Sequence, residues 1–378
     1  MIKKFIDNFY SYKNIKKTIS QNRNNIIFFS EGKHHYTHLK PFINFYLKEQ
    51  HVIYITLSKN DSCANIDNKN FSFFNLDSFF FLNLFFKTIS SSFIFTSLPD
   101  LGKLYFKKYP NNKNTFIYIF HSLASVHIQY NHDAFKEYDI IFCAGPHHFN
   151  ELTNLKEKYQ LKYIKLIKYG YPLIENISKN ERKPNKNQIL IASTWGDNSL
   201  TNTVAIELIQ NLIKAEKYKI IFRPHVMSFK KDYSKLNEIK KKFLNNKFFE
   251  FDNSNSSDKS LVYSELLITD WGSTSADFYI GLNKPVIFVN TDMKIKNKFY
   301  KEIDLNTFEI DIRNKIDKPI NLNDLKKISE KVAKKIYEHE TTNFREELIS
   351  KYIYNFNKSD ELLEIELKKL LNQKIIIN

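Results

Sequence analysis

Short runs of β-branched and aromatic residues recur along this chain with longer helical patterns between them, and they do so twice over. Residues 25–30 (NIIFFS), 52–57 (VIYITL), 92–96 (SFIFT), 115–120 (TFIYIF) and 139–144 (DIIFCA) form a first set. Residues 188–193, 219–222, 248–251, 266–269 and 285–289 form a second. Runs that are apolar throughout, rather than alternating, suit strands buried on both faces, and such strands belong to parallel sheets covered by helices. Helical patterns such as 35–49 and 147–159 supply the crossovers. The polar, Pro-containing stretch 177–187 (ISKNERKPNKN) is the best linker, and 323–371 predicts consecutive helices rich in Lys and Glu. The expected architecture is α/β: two Rossmann-like domains with parallel sheets facing a cleft, then a helical tail. The boundaries are 1–176, 188–330 and 331–378, with the tail packing back across the domains.

Glycine limits what such a cleft can hold and how. The chain has 378 residues but seven glycines, where ordinary usage of about 7% would give about 26. No two lie close enough for a GxGxxG dinucleotide loop or a Walker loop. Gly145, Gly170, Gly196 and Gly272 fall at expected strand ends or turns near the cleft. The net charge of +16 attracts phosphate, nucleic acid or an anionic membrane. The wider bias, rich in Lys, Asn, Ile, Phe and Tyr and poor in Gly, Pro, Ala and Arg, is that of an AT-rich genome, so charge alone assigns no partner. Arginine is confined to Arg23, Arg182, Arg223, Arg313 and Arg345, which makes each more informative than any lysine. Cys63 and Cys143 form no CxxC and no disulfide framework, which fits a reducing compartment. The greasiest run, 78–86, is too short to span a bilayer, which needs about 20 residues; it predicts a buried helix. With no signal-peptide core at the N-terminus, a cytoplasmic location is expected.

Ligands of open parallel sheets bind at the carboxyl ends of the strands, so those ends carry the candidates. His121 follows TFIYIF and can serve as a general base, or be a satisfied structural histidine. Arg223-Pro224-His225 follows KIIF. It offers a rigid guanidinium fork and a second donor for phosphate oxygens, or an ion pair closing the strand. Residues 269–277 (TDWGSTSAD) place Ser273, Thr274, Ser275 and Asp277 at a strand-to-helix turn. Hydroxyls, free N–H groups and the helix dipole there make a phosphate cradle, or an ordinary N-cap by Ser273 or Thr274 with Asp277 completing a box. Ser193 and Thr194 put two more hydroxyls at the end of QILIA.

Other patterns are weaker. His34 and His38 have i,i+4 spacing, but His35 stands where a metalloprotease helix carries its glutamate, so no metal is expected. His147-His148 and the His127, His132 spacing match no site. There is no Asp-x-Asp, no GxSxG elbow and no RNA-binding signature, so nucleic acid is not expected as a partner.

In their order, these segments resemble the CDP-glycerol glycerophosphotransferase family, the enzymes of wall teichoic acid and capsule polymers. That family carries an aromatic-His segment, a Thr/Ser-Trp segment, an Arg-Pro-His-Pro segment and an Asp-Tyr/Trp-Ser-Ser/Gly turn ending in an acid. The matching residues are Phe120-His121-Ser122, Ser193-Thr194-Trp195, Arg223-Pro224-His225 and 270–277. Residues 283–288 (NKPVIF) and 142–148 (FCAGPHH) are also family-like. Ser122 stands where glycine is usual, Val226 replaces the second proline, Gly272-Ser273 inverts the Trp variant's order, and Asp277 replaces Glu.

The resemblance implies a GT-B-like fold and transfer of a polyol phosphate from a CDP-activated donor, with no cofactor and no metal. By it, His121 takes a proton from an acceptor hydroxyl. Arg223 and His225 stabilise charge on the diphosphate and departing CMP, with His225 counted as catalytic. Ser273, Thr274 and Ser275 hold phosphate oxygens, Ser193 and Thr194 support them, and Asp277 faces ribose or glycerol hydroxyls. The implied partners are a CDP-polyol donor and a glycan or lipid-linked acceptor, with an anionic membrane surface at the inner face of the cell membrane. Two rivals remain open: a GT-B glycosyltransferase using a nucleotide sugar, and a non-catalytic nucleotide- or glycan-binding protein of a capsule assembly complex.

Overall fold

The computed structural model describes residues 2–22, 26–90, 92–103, 108–109, 113–161, 164–253, 259–339 and 344–377. Seven strands build a first sheet: β1 (Ile26–Ser30), β2 (Val52–Thr56), β3 (Phe71–Asn75), β4 (Phe93–Thr96), β5 (Thr115–Ile119), β6 (Ile140–Cys143) and β7 (Lys165–Lys168). Five build a second: β8 (Gln188–Ala192), β9 (Lys219–Arg223), β10 (Phe249–Phe251), β11 (Leu266–Thr269) and β12 (Val286–Phe288). The orders are β3-β2-β1-β4-β5-β6-β7 and β10-β9-β8-β11-β12. Every strand pair is parallel. All ten expected strands form; Asn25, at the start of one, lies outside the described residues. The two unforeseen strands, β3 and β7, are edge strands with half-exposed residues, so they lack a fully apolar run.

The period of two along each strand divides the core between faces. On β1, Ile27 and Phe29 join one apolar cluster while Ile26 and Phe28 join another. The first cluster runs on into the second half through Leu190, Ala192, Ile221, Leu267 and Phe278, so a single continuous core ties the two sheets together. A third cluster covers the far face of the second sheet with Leu208, Leu212, Ile328 and Val332.

Helices on the first half are α1 (Ile2–Gln21), α2 (Lys33–Tyr46), α3 (Phe79–Thr88), α4 (Val126–Gln129), α5 (Pro146–Lys158) and α6 (Pro172–Lys179). The expected buried helix is α3, but it is buried on one side: Phe81, Leu82, Phe85 and Phe86 are inside while Phe79 and Phe80 are exposed. The expected linker begins inside α6, so the irregular stretch is shorter than the composition suggests. Among the described residues no helix is long and apolar enough to cross a membrane.

The C-terminal helices return across the molecule; residues 340–343 of that expected stretch lie outside the described residues. Helix Ile328–His339 packs on the second sheet through Ile328 and Val332. Helix Ser359–Ile377 packs on the first through Leu363, Leu367 and Leu370. Two glycines make room for this return, rather than for a ligand. A Cβ on Gly145 would lie 1.8 Å from the Tyr352 carbonyl oxygen, and one on Gly170, at φ 130°, would lie 2.6 Å from that of Tyr354.

Candidate active site

The carboxyl ends of both sheets open toward each other, and each sheet reverses its strand order there, between β1 and β4 and between β8 and β11. Such reversal points leave a crevice between diverging loops. A cavity of about 220 Å³ occupies it. Ser193, Arg223, Pro224, His225, Thr274 and Asp277 wall one side, and Lys33, His34, Thr37 and His38 of α2 the other.

The loops of the second sheet are held by a buried carboxylate. Asp270, at the end of β11, accepts hydrogen bonds from the backbone N–H groups of Thr194, Trp271 and Leu200 at 2.8 Å each. Its carboxylate also receives the Thr194 hydroxyl at 2.8 Å and lies 3.2 Å from the Ser193 hydroxyl. The structure thus gives the hydroxyls of Ser193 and Thr194 an internal task, joining the ends of β8 and β11. Arg313 completes the unit: its guanidinium stacks 3.9 Å above Trp271 and donates to the Asp270 carbonyl at 2.6 Å.

Arg223 ends β9 with its guanidinium half-exposed toward the cavity, touching the Ser260 hydroxyl at 3.3 Å. His225 stands at the rim of the cleft. Its Nδ1 accepts from the Met227 N–H at 3.0 Å, which leaves Nε2 as the free ring position. Desolvation between the cleft walls and then the charge of Lys294 push its pKa down, so the ring is neutral.

In the turn after β11, no side-chain cap is made by Ser273. The Ser275 hydroxyl instead donates back to the Gly272 carbonyl at 2.9 Å. Thr274 and Asp277 face the cavity. The helix that follows is wound as one turn of α over Thr274–Ala276 and then a π turn over Asp277–Gly281.

His121 does not wall this cavity. It sits behind α2, its ring 5.4 Å from that of His35 and 6.2 Å from that of His38, with Nδ1 3.3 Å from the Tyr118 hydroxyl. It keeps partial exposure at the cleft edge. Burial, then His35 and His34, lower its pKa to about 3, so it is an uncharged imidazole. The loop that carries it is clamped from several directions. His147 and His148 lie within hydrogen-bond distance of the Leu123 and Ala124 carbonyls, at 2.9 and 3.1 Å. Ser125 N–H donates to Glu309 at 3.0 Å, and His127 faces Glu151 at 2.9 Å in a buried pair.

Sequence reasoning missed two groups. The first is the pair Lys294 and Lys296, on the irregular segment after β12. That segment crosses to the first half, where the Lys296 and Asn297 N–H groups both bond the Ile128 carbonyl at 3.1 Å. Lys294 lies 3.4 Å over the Trp195 ring and donates to the Trp195 carbonyl at 2.9 Å. Burial and the neighbouring Lys296 lower its pKa to about 7. Trp195 and Lys294 also line an adjoining cavity of about 420 Å³ with Asp197 and Ser199. Lys296 lies 5.9 Å over the same Trp195 ring, and its charge helps lower the pKa of both His121 and His225. Neither lysine could be singled out among the chain's many cations. The second group is Glu31, His34 and His35, each offering one ligand atom within 4.8 Å of the others. The i,i+4 spacing of His34 and His38, weighed and set aside in the sequence, does not include Glu31, which precedes the helix.

Comparison with known proteins follows the same lines. The sequence pattern described as CDP-Glycerol:Poly(glycerophosphate) glycerophosphotransferase matches residues 11–308. No curated protein sequence matches the chain. Among solved structures, the wall teichoic acid polymerase TagF, a histidine-to-asparagine variant soaked with CDPG, superposes with a TM-score of 0.59 at 14% identity, covering 98% of this chain and 99% of that one. MnaA of S. aureus with UDP gives 0.61 at 13% identity, covering 92% and 97%. The UDP-GlcNAc 2-epimerase of Methanocaldococcus jannaschii, with UDP-GlcNAc and UDP, gives 0.56 at 13%, covering 91% and 99%. At these identities the likeness establishes the fold, a GT-B-like pair of parallel sheets.

Proposed function

The chain belongs to the CDP-glycerol:poly(glycerophosphate) glycerophosphotransferase family, and from that premise we propose that it moves glycerol phosphate, or a related polyol phosphate, from a CDP-activated donor to a hydroxyl of a surface glycan or lipid-linked acceptor. One observation carries the reading. Segments far apart in sequence, around Ser193, Arg223–Val226 and Thr274–Asp277, wall a single cavity with α2 opposite.

In this reading the half built on the second sheet, 188–330, binds the donor, and the half built on the first, 1–176, presents the acceptor. Phosphoryl transfer asks mainly for positioning and charge neutralisation. Arg223 supplies a permanent charge to the diphosphate. His225 offers its ring nitrogen to the departing CMP. Ser273, Thr274 and Ser275 lie along the turn that meets phosphate oxygens, and Asp277 takes hydroxyls of ribose or glycerol. Ser193 and Thr194 act by holding Asp270, which shapes the loop. Neutral His121 accepts the acceptor's proton. A pKa of about 3 makes it a weak base on its own; the negative charge of donor and acceptor raises it when they bind.

The location proposed is peripheral, at the inner face of the cell membrane. The exposed stripe Ile2, Phe5, Ile6, Phe9 and Tyr10 of α1 adjoins exposed Phe79 and Phe80 of α3. Lys3, Lys4, Lys13 and Lys17 surround it, a pattern suited to an anionic bilayer.

The test is a donor screen with purified protein, following nucleotide release from CDP-glycerol, CDP-ribitol, CMP-sugars, UDP-sugars and GDP-sugars. CMP release from a CDP-polyol is expected; UDP or GDP release from a sugar donor sinks the reading. His121→Ala is expected to lose turnover by about 10²-fold or more while keeping donor affinity. Arg223→Ala is expected to weaken donor binding itself by about tenfold or more. A near-normal rate in His121→Ala removes it as the base.

A further inference from the structure

At the reversal point of the first sheet, Glu31 ends the loop from β1, His34 and His35 begin α2, and Ser97 follows β4. We infer that Glu31, His34 and His35 form a binding site for one zinc-like, first-row divalent metal ion at the edge of the cleft. Two neutral imidazoles and a carboxylate are a common zinc donor set, leaving a fourth position open.

The three ligand atoms lie within 4.8 Å of one another, and one pair is already close to the spacing a metal needs. His35 Nε2 lies 3.9 Å from Glu31 Oε2. Tetrahedral ligands at about 2.0 Å from zinc are about 3.3 Å apart, so this pair closes by well under 1 Å. His35 is buried, and its other nitrogen, Nδ1, lies 2.7 Å from the Ser97 hydroxyl. With Nδ1–H donating to Ser97, the Nε2 lone pair is left facing Glu31. Metal-bound histidines are typically oriented by such an outer partner. His34 walls the cavity, so the open position faces the cleft.

The ring of His121 is 5.4 Å from that of His35, so the ion would sit close to the candidate base, on the α2 wall of the cavity that Arg223 faces. This inference does not rest on phosphotransfer, because its readout needs no nucleotide.

The experiment uses tag-free full-length protein, stripped with chelator and titrated with ZnCl₂, CoCl₂ or MgCl₂. One Zn²⁺ per chain is expected by calorimetry, with a visible Co²⁺ absorption typical of tetrahedral coordination, and far weaker Mg²⁺ binding. Glu31→Gln and His34→Ala, both at positions that are not fully buried, are expected to weaken Zn²⁺ by at least about tenfold. Ser97→Ala weakens it less, and His38→Ala leaves it unchanged. Absence of stoichiometric Zn²⁺ and Co²⁺ binding overturns the site. So does wild-type affinity in both Glu31→Gln and His34→Ala, or loss in His38→Ala with retention in Glu31→Gln.

Discussion

Lys294 carries a charge that burial makes conditional. An ammonium with a pKa of about 7 is cationic below that pH and loses its charge as pH rises through it. If it meets a phosphate of donor or acceptor, kcat/KM falls above pH 7, and a charge-assisted contact of this kind accounts for about tenfold. Lys294→Arg stays charged and flattens that limb; an identical fall in the variant assigns it to another group. His121 contributes no acid limb above about pH 5, since its pKa of about 3 leaves it deprotonated there. At this scale sequence reasoning picked out residues at strand ends and so proposed His121, Arg223 and His225; the structure brings Arg223 and His225 to one cavity and leaves His121 behind α2. Sequence reasoning passed over Lys294, one of 57 Lys and Arg residues, on a segment with no periodic pattern. It also passed over Glu31 with His34 and His35: Glu31 and His35 are four apart, but Glu31 lies in the turn before the helix begins, so the grouping depends on that turn. For Ser193 and Thr194 it identified the right strand end, but the partner of their hydroxyls, Asp270, lies more than seventy residues away.

Elements buried on both faces announce themselves; elements at edges do not. Central strands such as VIYIT of β2 are apolar throughout because helices cover both sides. β3 and β7 escape notice because their side chains are half exposed. α1 shows a different partition. Asn8 fastens it, donating to Asp77 at 2.8 Å and accepting from the Ser78 N–H at 3.0 Å, while Ile15 enters the core. The other face keeps Phe5 and Phe9 outside, 57% and 37% exposed. A helix so fastened, with an outward stripe of aromatics among lysines, is expected to bind anionic vesicles and to release them in high salt. The double variant Phe5→Asp, Phe9→Asp should cut vesicle cosedimentation by about tenfold or more and leave donor binding intact, because α1 does not wall the cavity. Undiminished cosedimentation of that variant would place the membrane surface elsewhere.

Across the whole molecule, the two sheets are joined by contacts that no local pattern encodes. Right-handed crossovers narrow the strand orders open to each sheet, but they do not fix where the returning chain lies on the first half. The sequence leads one to expect a helical tail packing back across the domains, and the places where it presses on the first sheet are marked by two glycines in a chain that otherwise avoids them. Gly145 and Gly170 stand at strand ends, and the sequence alone suggested that they served the cleft. Instead the Tyr354 N–H bonds the Ala144 carbonyl at 2.9 Å, and Asn355 bonds those of Lys168 and Tyr169. Backbone pressed on backbone cannot yield as a flexible side chain can. Gly145→Ala therefore forces the returning segment away and should cost about 1–3 kcal/mol, the usual range for overpacking a tight site. Gly272→Ala, whose Cβ would meet its nearest neighbours at 3.5 and 3.6 Å, should leave the unfolding midpoint close to wild type. Thermal unfolding of the two variants side by side separates the readings. If Gly145→Ala unfolds with the wild type, the C-terminal segment does not press on the first sheet in solution. If Gly145→Ala is destabilised alone, glycine at that position belongs to the assembly of the fold and not to phosphate binding.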